Sequence, residues 1–200
     1  MLELLKDLDA QLLLFLNSCH TPFWDTVMFY STKKFTWIPL YVILLFFIFR
    51  EYKQRTLIIL VFTLILVGIT DQVAMTFKEG LERWRPCRDP EIGPNLHLVK
   101  EMCRGRFGFF SAHAATSFAI ATFISRLFNN KLFTFFMFTW AAFISYTRIY
   151  LGAHFPGDIL AGAFFGLFIG WINFKVYNLF YKNKNRKFRK KHVSYSLSHR

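Results

Sequence analysis

Two histidines, a serine, an aspartate and three strongly basic side chains fall in three short clusters of a largely apolar chain. Residues 78–86 read KEGLERWRP, residues 110–113 read FSAH, and residues 147–158 read TRIYLGAHFPGD. Lys78, Arg85 and Arg148 are cations that suit an anion, and arginine binds phosphate oxygens through a planar fork. Lys78 and Arg85 are seven residues apart, so a helix continuing to Pro86 puts both on one face. Ser111 precedes an apolar run, and the backbone amides of Ala112 and His113 then lie at a helix N-terminus, where donors are free and anions are favoured. His154 and Asp158 are four apart. A carboxylate bonded to one imidazole nitrogen fixes the tautomer and makes the other nitrogen a better nucleophile.

Each cluster also has a plain structural reading. Lys78 and Arg85 can be cations at a membrane edge, Ser111 an N-cap, His113 a partner of a neighbouring loop, and Asp158 a cap beside an unrelated histidine. The chemical reading gains weight because ionisable groups are costly in a bilayer and tend to mark function.

The elements that must hold these clusters are membrane helices. The chain has 200 residues, 54% hydrophobic and 20% aromatic, with 27 Phe, and its mean hydropathy is positive. That excludes an ordinary soluble domain. The net charge of +13 would point to nucleic acid in a soluble protein. Here it comes from a basic tail after residue 182 and from the 78–106 loop, so no nucleic-acid partner is expected. Five apolar runs read as spanning helices, at about 35–49, 56–77, 111–128, 132–150 and 158–181. Several are shorter than the roughly 20 residues that cross unaided, and flanking Lys, Arg, Trp and Tyr extend them. Residues 1–18 carry mixed charges, lack the pattern of a cleavable signal and read as an amphipathic interfacial helix. The expected fold is therefore all-α: a polytopic membrane bundle of about five spans plus that N-terminal helix. Residues 1–181 form one membrane domain, with the clusters at 78–158, and 182–200 form a cytoplasmic basic tail. With the tail inside, the 78–110 loop and the 151–157 turn share the outer side, so all three clusters meet there. Gly157, Ala161, Gly162, Ala163, Gly166 and Gly170 read as a close helix-packing face, and the Phe-rich runs as lipid-facing surface. Cys87 and Cys103 share the outer loop, as a disulfide suited to an oxidising side or as two thiols. Cys19 stands apart.

The three clusters in order resemble the signature of the type 2 phosphatidic acid phosphatase superfamily: Lys-x6-Arg-Pro, then Pro-Ser-Gly-His, then Ser-Arg-x5-His-x3-Asp. Lys78, Arg85 and Pro86 match the first part. Ser111 and His113 match the second, with Phe110 for Pro and Ala112 for Gly. Arg148, His154 and Asp158 match the third, with Thr147 for Ser. The resemblance implies an integral membrane lipid phosphatase without cofactor or metal. It implies that His154 attacks phosphorus, Asp158 orients His154, and His113 protonates the leaving oxygen. Lys78, Arg85, Arg148, Ser111 and the Ala112 amide would hold the phosphoryl oxygens. Ala112 puts a methyl where Gly lets backbone approach, and Phe110 adds an apolar contact towards lipid.

The resemblance implies a phosphorylated lipid as substrate: undecaprenyl pyrophosphate or a lipid A phosphate first, phosphatidylglycerol phosphate or phosphatidic acid as alternatives. Arg88, Arg104 and Arg106 in the entrance loop point to a head group with more than one negative site. The compact form reads as bacterial, in the inner membrane, with its site on the periplasmic face. Two other readings use the same residues. His113, His154 and Asp158 form a two-histidine, one-carboxylate metal set, which three neighbouring cations oppose. A lipid or anion transporter uses the cations but leaves the histidines without a task.

Overall fold

The computed structural model describes residues 2–100, 103 and 105–197, and side chains at 3–100, 103 and 105–181. Arg104 and the side chains of the basic tail lie outside the described residues. The regular structure of the described residues is helical: α1 (Leu2–Ser18), α2 (Pro22–Ser31), α3 (Ile38–Tyr52), α4 (Thr56–Leu81), α5 (Ala112–Phe128), α6 (Lys131–Tyr150) and α7 (Pro156–Leu197). Among the described residues, three stretches, Lys34–Leu81, Lys131–Tyr150 and Pro156–Tyr181, are long and apolar enough to cross a membrane. The first is broken at the 3-10 turn Lys53–Arg55. Helix α5 is shorter, at 17 residues. Helices thus occupy all five apolar runs. Phe46, Phe49, Phe135 and Phe164 are exposed on their outer faces, as lipid-facing side chains are.

Local sequence sets the boundaries. Asn129 takes a left-handed conformation that ends α5, and Asn130 caps α6 by accepting from the Phe133 amide at 2.9 Å. The short Asn side chain tolerates the first role and supplies the second. Thr21 and Pro22 start α2 in the same manner, the Thr21 hydroxyl accepting from the Trp24 amide. Helix α2 has no counterpart in the expected layout, because ten residues rich in aromatics give no clear period.

Packing is tightest between α5 and α7. A Cβ at Gly162, Gly166 or Gly170 would fall on the carbonyl oxygens of Ser111, Ala115 or Ala119. This row of small residues lets two backbones approach, as expected from the spacing. Tyr52 donates to the Leu127 carbonyl, and the Arg55 guanidinium lies 3.8 Å from the Tyr181 ring centre. The 53–55 turn, the end of α5 and residue 181 therefore share one end of the bundle. The three polar clusters share the other.

One expectation is corrected here. Lys78 and Arg85 are not on one continuous helix. Helix α4 stops at Leu81, where Glu82 is left-handed, well before Pro86. The chain then pairs with the far side of its own loop: Arg85 N donates to Arg106 O at 2.9 Å and Gly108 N to Arg83 O at 2.8 Å. Pairing with that segment competes successfully with further helix. Cys87 and Cys103 are joined in a disulfide, 16 residues apart, which closes the same loop.

Candidate active site

Arg85 reaches the site from this loop. It is extended, and its Nη1 contacts the Ala153 carbonyl and His154 Nε2, each at 3.1 Å. A guanidinium has only donors, so His154 Nε2 must accept. Nε2 therefore carries the lone pair, and Nδ1 carries the proton. Nδ1 faces Asp158 Oδ2 at 3.4 Å, long for a charge-assisted bond. The turn that presents His154 is held from behind, since the Ala153 and His154 amides donate to the Arg148 carbonyl. His154 is 2% exposed and Asp158 0%. Burial first, then the charges of Arg85, Arg148 and Lys78, hold the His154 imidazolium well below the usual histidine range. Its neutral, nucleophilic form persists into acid. Burial also pushes the Arg85 guanidinium down, against the pull of Asp158, yet arginine stays charged.

The second and third cations come from the helices. Arg148, near the end of α6, is buried and donates through Nη1 to the Thr32 hydroxyl. Lys78, in the last turn of α4, lies within electrostatic range of Arg85, Arg148 and Asp158. The Nε groups of Arg85 and Arg148 are buried and have no partner among the described residues. Thr56, Ser125, Trp140 and Tyr177 also bury an unpartnered polar atom, but of these groups only the two arginine donors are cationic and so suit an anion. Ser111 caps α5, its hydroxyl accepting from Ala114 N at 3.4 Å while its own amide donates to the Asp158 carbonyl at 3.1 Å. This joins the start of α5 to the start of α7. His113 lies within electrostatic range of His154, Arg148 and Lys78. It also lines a cavity of about 470 Å³ that runs between α3, α4, α5 and α6, past Lys34, Leu64, Val67, Trp140 and Ile144.

The structure thus brings together all eight expected residues: His154, His113, Asp158, Lys78, Arg85, Ser111, Ala112 and Arg148. Others were missed. Arg83 donates to Asp158 Oδ1 at 2.7 Å, and Asp9 on α1 receives the other end of that guanidinium. Thr32 meets Arg148. Nothing in their spacing separates them from ordinary polar residues, apart from the two-residue interval between Arg83 and Arg85. Phe110 does not face lipid. It is 3% exposed and packs between Phe77 and Phe165, at ring distances of 5.3 and 5.1 Å. Arg88 bonds the Cys103 carbonyl and Arg106 covers Trp84, so both have partners within the entrance loop.

Among the described residues, His113, His154 and Asp158 do not gather three ligand atoms; His20, Asp25 and His97 do, within 4.8 Å of one another. Asp25 accepts from Tyr150 at 2.7 Å and His97 at 3.0 Å, and His20 stacks on His97. Burial raises the Asp25 carboxyl, but those two hydrogen bonds together with the electrostatic pull of His97 and His20 hold the group below its usual range. The set ties α2 and the loop that carries His97 to the end of α6.

The profile of the PAP2 superfamily matches residues 56–182. The chain belongs to this superfamily. Two curated relatives are similar over most of the chain. The lipid A 4′-phosphatase of Bacteroides thetaiotaomicron is 40% identical over 176 residues, covering 86% of this chain and 78% of the relative. The lipid A 4′-phosphatase of Porphyromonas gingivalis is 34% identical over 178 residues, covering 88% and 75%. The crystal structure of Aquifex aeolicus LpxE superposes with a TM-score of 0.64 at 25% identity, covering 82% of this chain and 93% of that one. A PAP2-type phosphatidylglycerolphosphate phosphatase from Bacillus subtilis superposes with a TM-score of 0.65 at 22% identity, covering 90% and 87%. The protein is thus an integral bacterial membrane enzyme, an all-α polytopic bundle that removes phosphate from a lipid head group.

Proposed function

We propose that the enzyme hydrolyses a phosphate of lipid A through a phosphohistidine at His154. The observation that carries the mechanism is the contact of Arg85 with His154 Nε2, which sets a phosphate-binding cation against the nucleophilic atom. The likeness to two lipid A 4′-phosphatases supports the substrate and favours the 4′ position.

In the first step His154 Nε2 attacks phosphorus, a P–N bond forms and the P–O bond to the lipid breaks. His113 gives a proton to the leaving oxygen. Asp158 accepts from Nδ1–H and stabilises the charge that His154 gains. In the second step water attacks phosphorus, a P–O bond forms and the P–N bond to His154 breaks, His113 takes the water's proton, and inorganic phosphate leaves. Lys78, Arg85, Arg148, the Ser111 hydroxyl and the Ala112 amide hold the phosphoryl oxygens. Phosphoryl transfer needs little beyond such positioning and charge stabilisation, and no step uses a metal. The cavity beside His113 takes part of an acyl chain, which holds the lipid with its phosphate at His154.

Five spans, α3 to α7, cross the bilayer. Residues 1–181 form the membrane domain, and the basic tail at 182–200 lies in the cytoplasm against anionic lipid. The site then opens on the periplasmic face of the inner membrane. The Cys87–Cys103 disulfide supports that side.

Phosphate release should be fastest from lipid A among lipid A, undecaprenyl pyrophosphate, phosphatidylglycerol phosphate and phosphatidic acid in one detergent. Mass spectrometry of the product reads the position attacked. A faster rate on any other member of that panel rejects the substrate. His154→Ala should lose at least about 10³-fold in kcat and form no labelled phosphoenzyme. Activity retained in EDTA agrees with the scheme, and loss of activity restored by a divalent ion rejects it.

A further inference from the structure

Arg83 is held at both ends. Its Nη1 donates to Asp158 Oδ1 and its Nη2 to Asp9 Oδ2, both at 2.7 Å. The Phe155 ring lies 4.2 Å from its guanidinium carbon. The other oxygen of Asp9 accepts from the Gly157 amide, also at 2.7 Å. One residue on α1 therefore grips both the cation that pairs with Asp158 and the backbone just before it. Asp9 lies outside the three sequence clusters, and Arg83, within residues 78–86, is not among the positions matched to the signature.

We propose that Arg83 and Asp9 are positioning residues for Asp158, so that α1 completes the catalytic end from outside the signature. This rests on the reading above, in which Asp158 orients His154. A carboxylate with no exposed surface needs charge-paired and hydrogen-bonded partners. Asp158 Oδ2 accepts from the Phe155 amide at 3.1 Å and faces His154 Nδ1. Oδ1 goes to Arg83. Fixing Oδ1 fixes the carboxylate plane, and with it the aim of Oδ2. The Arg83 side chain is 30% exposed, so alone it has room to swing towards solvent. Asp9 prevents that, because a planar guanidinium bonded on both sides has few orientations left. Other charges on α1 behave differently: Glu3 and Lys6 pair with each other at the surface. The approach of Asp9 also depends on Gly157, where a Cβ would come within 2.8 Å of Asp9 Oδ2.

The test uses the full chain in detergent, with lipid A as substrate or phosphatidylglycerol phosphate should the wild type prefer it. Arg83→Ala should lower kcat about 100-fold, and Asp9→Asn and Gly157→Ala about tenfold, in the range set by partners that orient a catalytic group. KM should stay within about twofold, since no contact to substrate is removed. Arg83→Lys should recover part of the loss. Millimolar guanidinium should restore kcat in Arg83→Ala and leave Asp158→Asn unchanged. Arg83→Ala added to Asp158→Asn should cost nothing further, because both act through one carboxylate. Wild-type kcat in Asp9→Asn and Arg83→Lys, a raised KM with kcat intact, or fully additive losses would each overturn the proposal. Where Arg83→Ala does not fold, Asp9→Asn and Gly157→Ala decide. His154→Ala separates the two levels. If it is active, the phosphohistidine reading fails. If it is inactive while the Arg83 and Asp9 variants match wild type, only this inference fails.

Discussion

The two ends of the bundle carry the same residue types and use them differently. At one end Arg50, Lys53 and Lys131 are exposed and Arg55 rests on the Tyr181 ring. At the other, Arg85 and Arg148 are drawn inward against His154 and Thr32, each with a buried, unpartnered Nε. Charge alone therefore does not mark the site. What distinguishes it is cations held out of water with donors unused, an arrangement that a phosphate stabilises and that folding alone does not favour.

The largest effect should separate the ends directly. Arg85→Lys keeps the charge but loses the fork and the contact to Nε2, so kcat/KM should fall about 10²–10³-fold. Phosphate release measures it, and a loss under about threefold would erase the contrast between the ends. Next comes the disulfide, which staples only the catalytic end. Its closed loop of 16 residues corresponds to about 3 kcal/mol of stability, so dithiothreitol should lower the thermal midpoint. An unchanged midpoint means the loop is held by its other contacts. Smaller again is the pH dependence of the fold. His154 is neutral when folded, whereas in the unfolded chain it titrates near 6.5. The unfolded state then binds more protons below that pH, and stability should fall with acid by up to about 1.4 kcal/mol per pH unit. His154→Asn should reduce the slope between pH 5 and 6.5, as read by thermal unfolding. An identical slope in both proteins would assign the acid sensitivity elsewhere. The smallest effect belongs to the far end. Arg55→Ala should cost less than about 1 kcal/mol and leave kcat unchanged.

Much of this was legible in the chain. Charge-free apolar runs located α3 to α7, since a bilayer demands helices with every backbone group bonded internally. Ser111, His113, Arg148, His154 and Asp158 stood at helix ends with spacings that announced phosphate chemistry. The small residues of α7 declared a packing face. Less legible were the exit of α4 at Glu82, which removes Arg85 from the helix of Lys78, and the direction of Phe110. Both depend on segments that meet across the loop.

The sequence by itself determined the helices, their order along the chain and the kinds of group available to handle a lipid phosphate, because these follow from local periodicity and residue type. Only the tertiary structure decided which nitrogen of His154 carries the lone pair, which cation holds Asp158, and that α1 reaches the site through Asp9. Those pairings join residues 69 to 75 positions apart, and no local pattern encodes them. Gly162, Gly166 and Gly170 seat α7 on α5 and so fix where the starts of those two helices stand, next to the turn that carries His154.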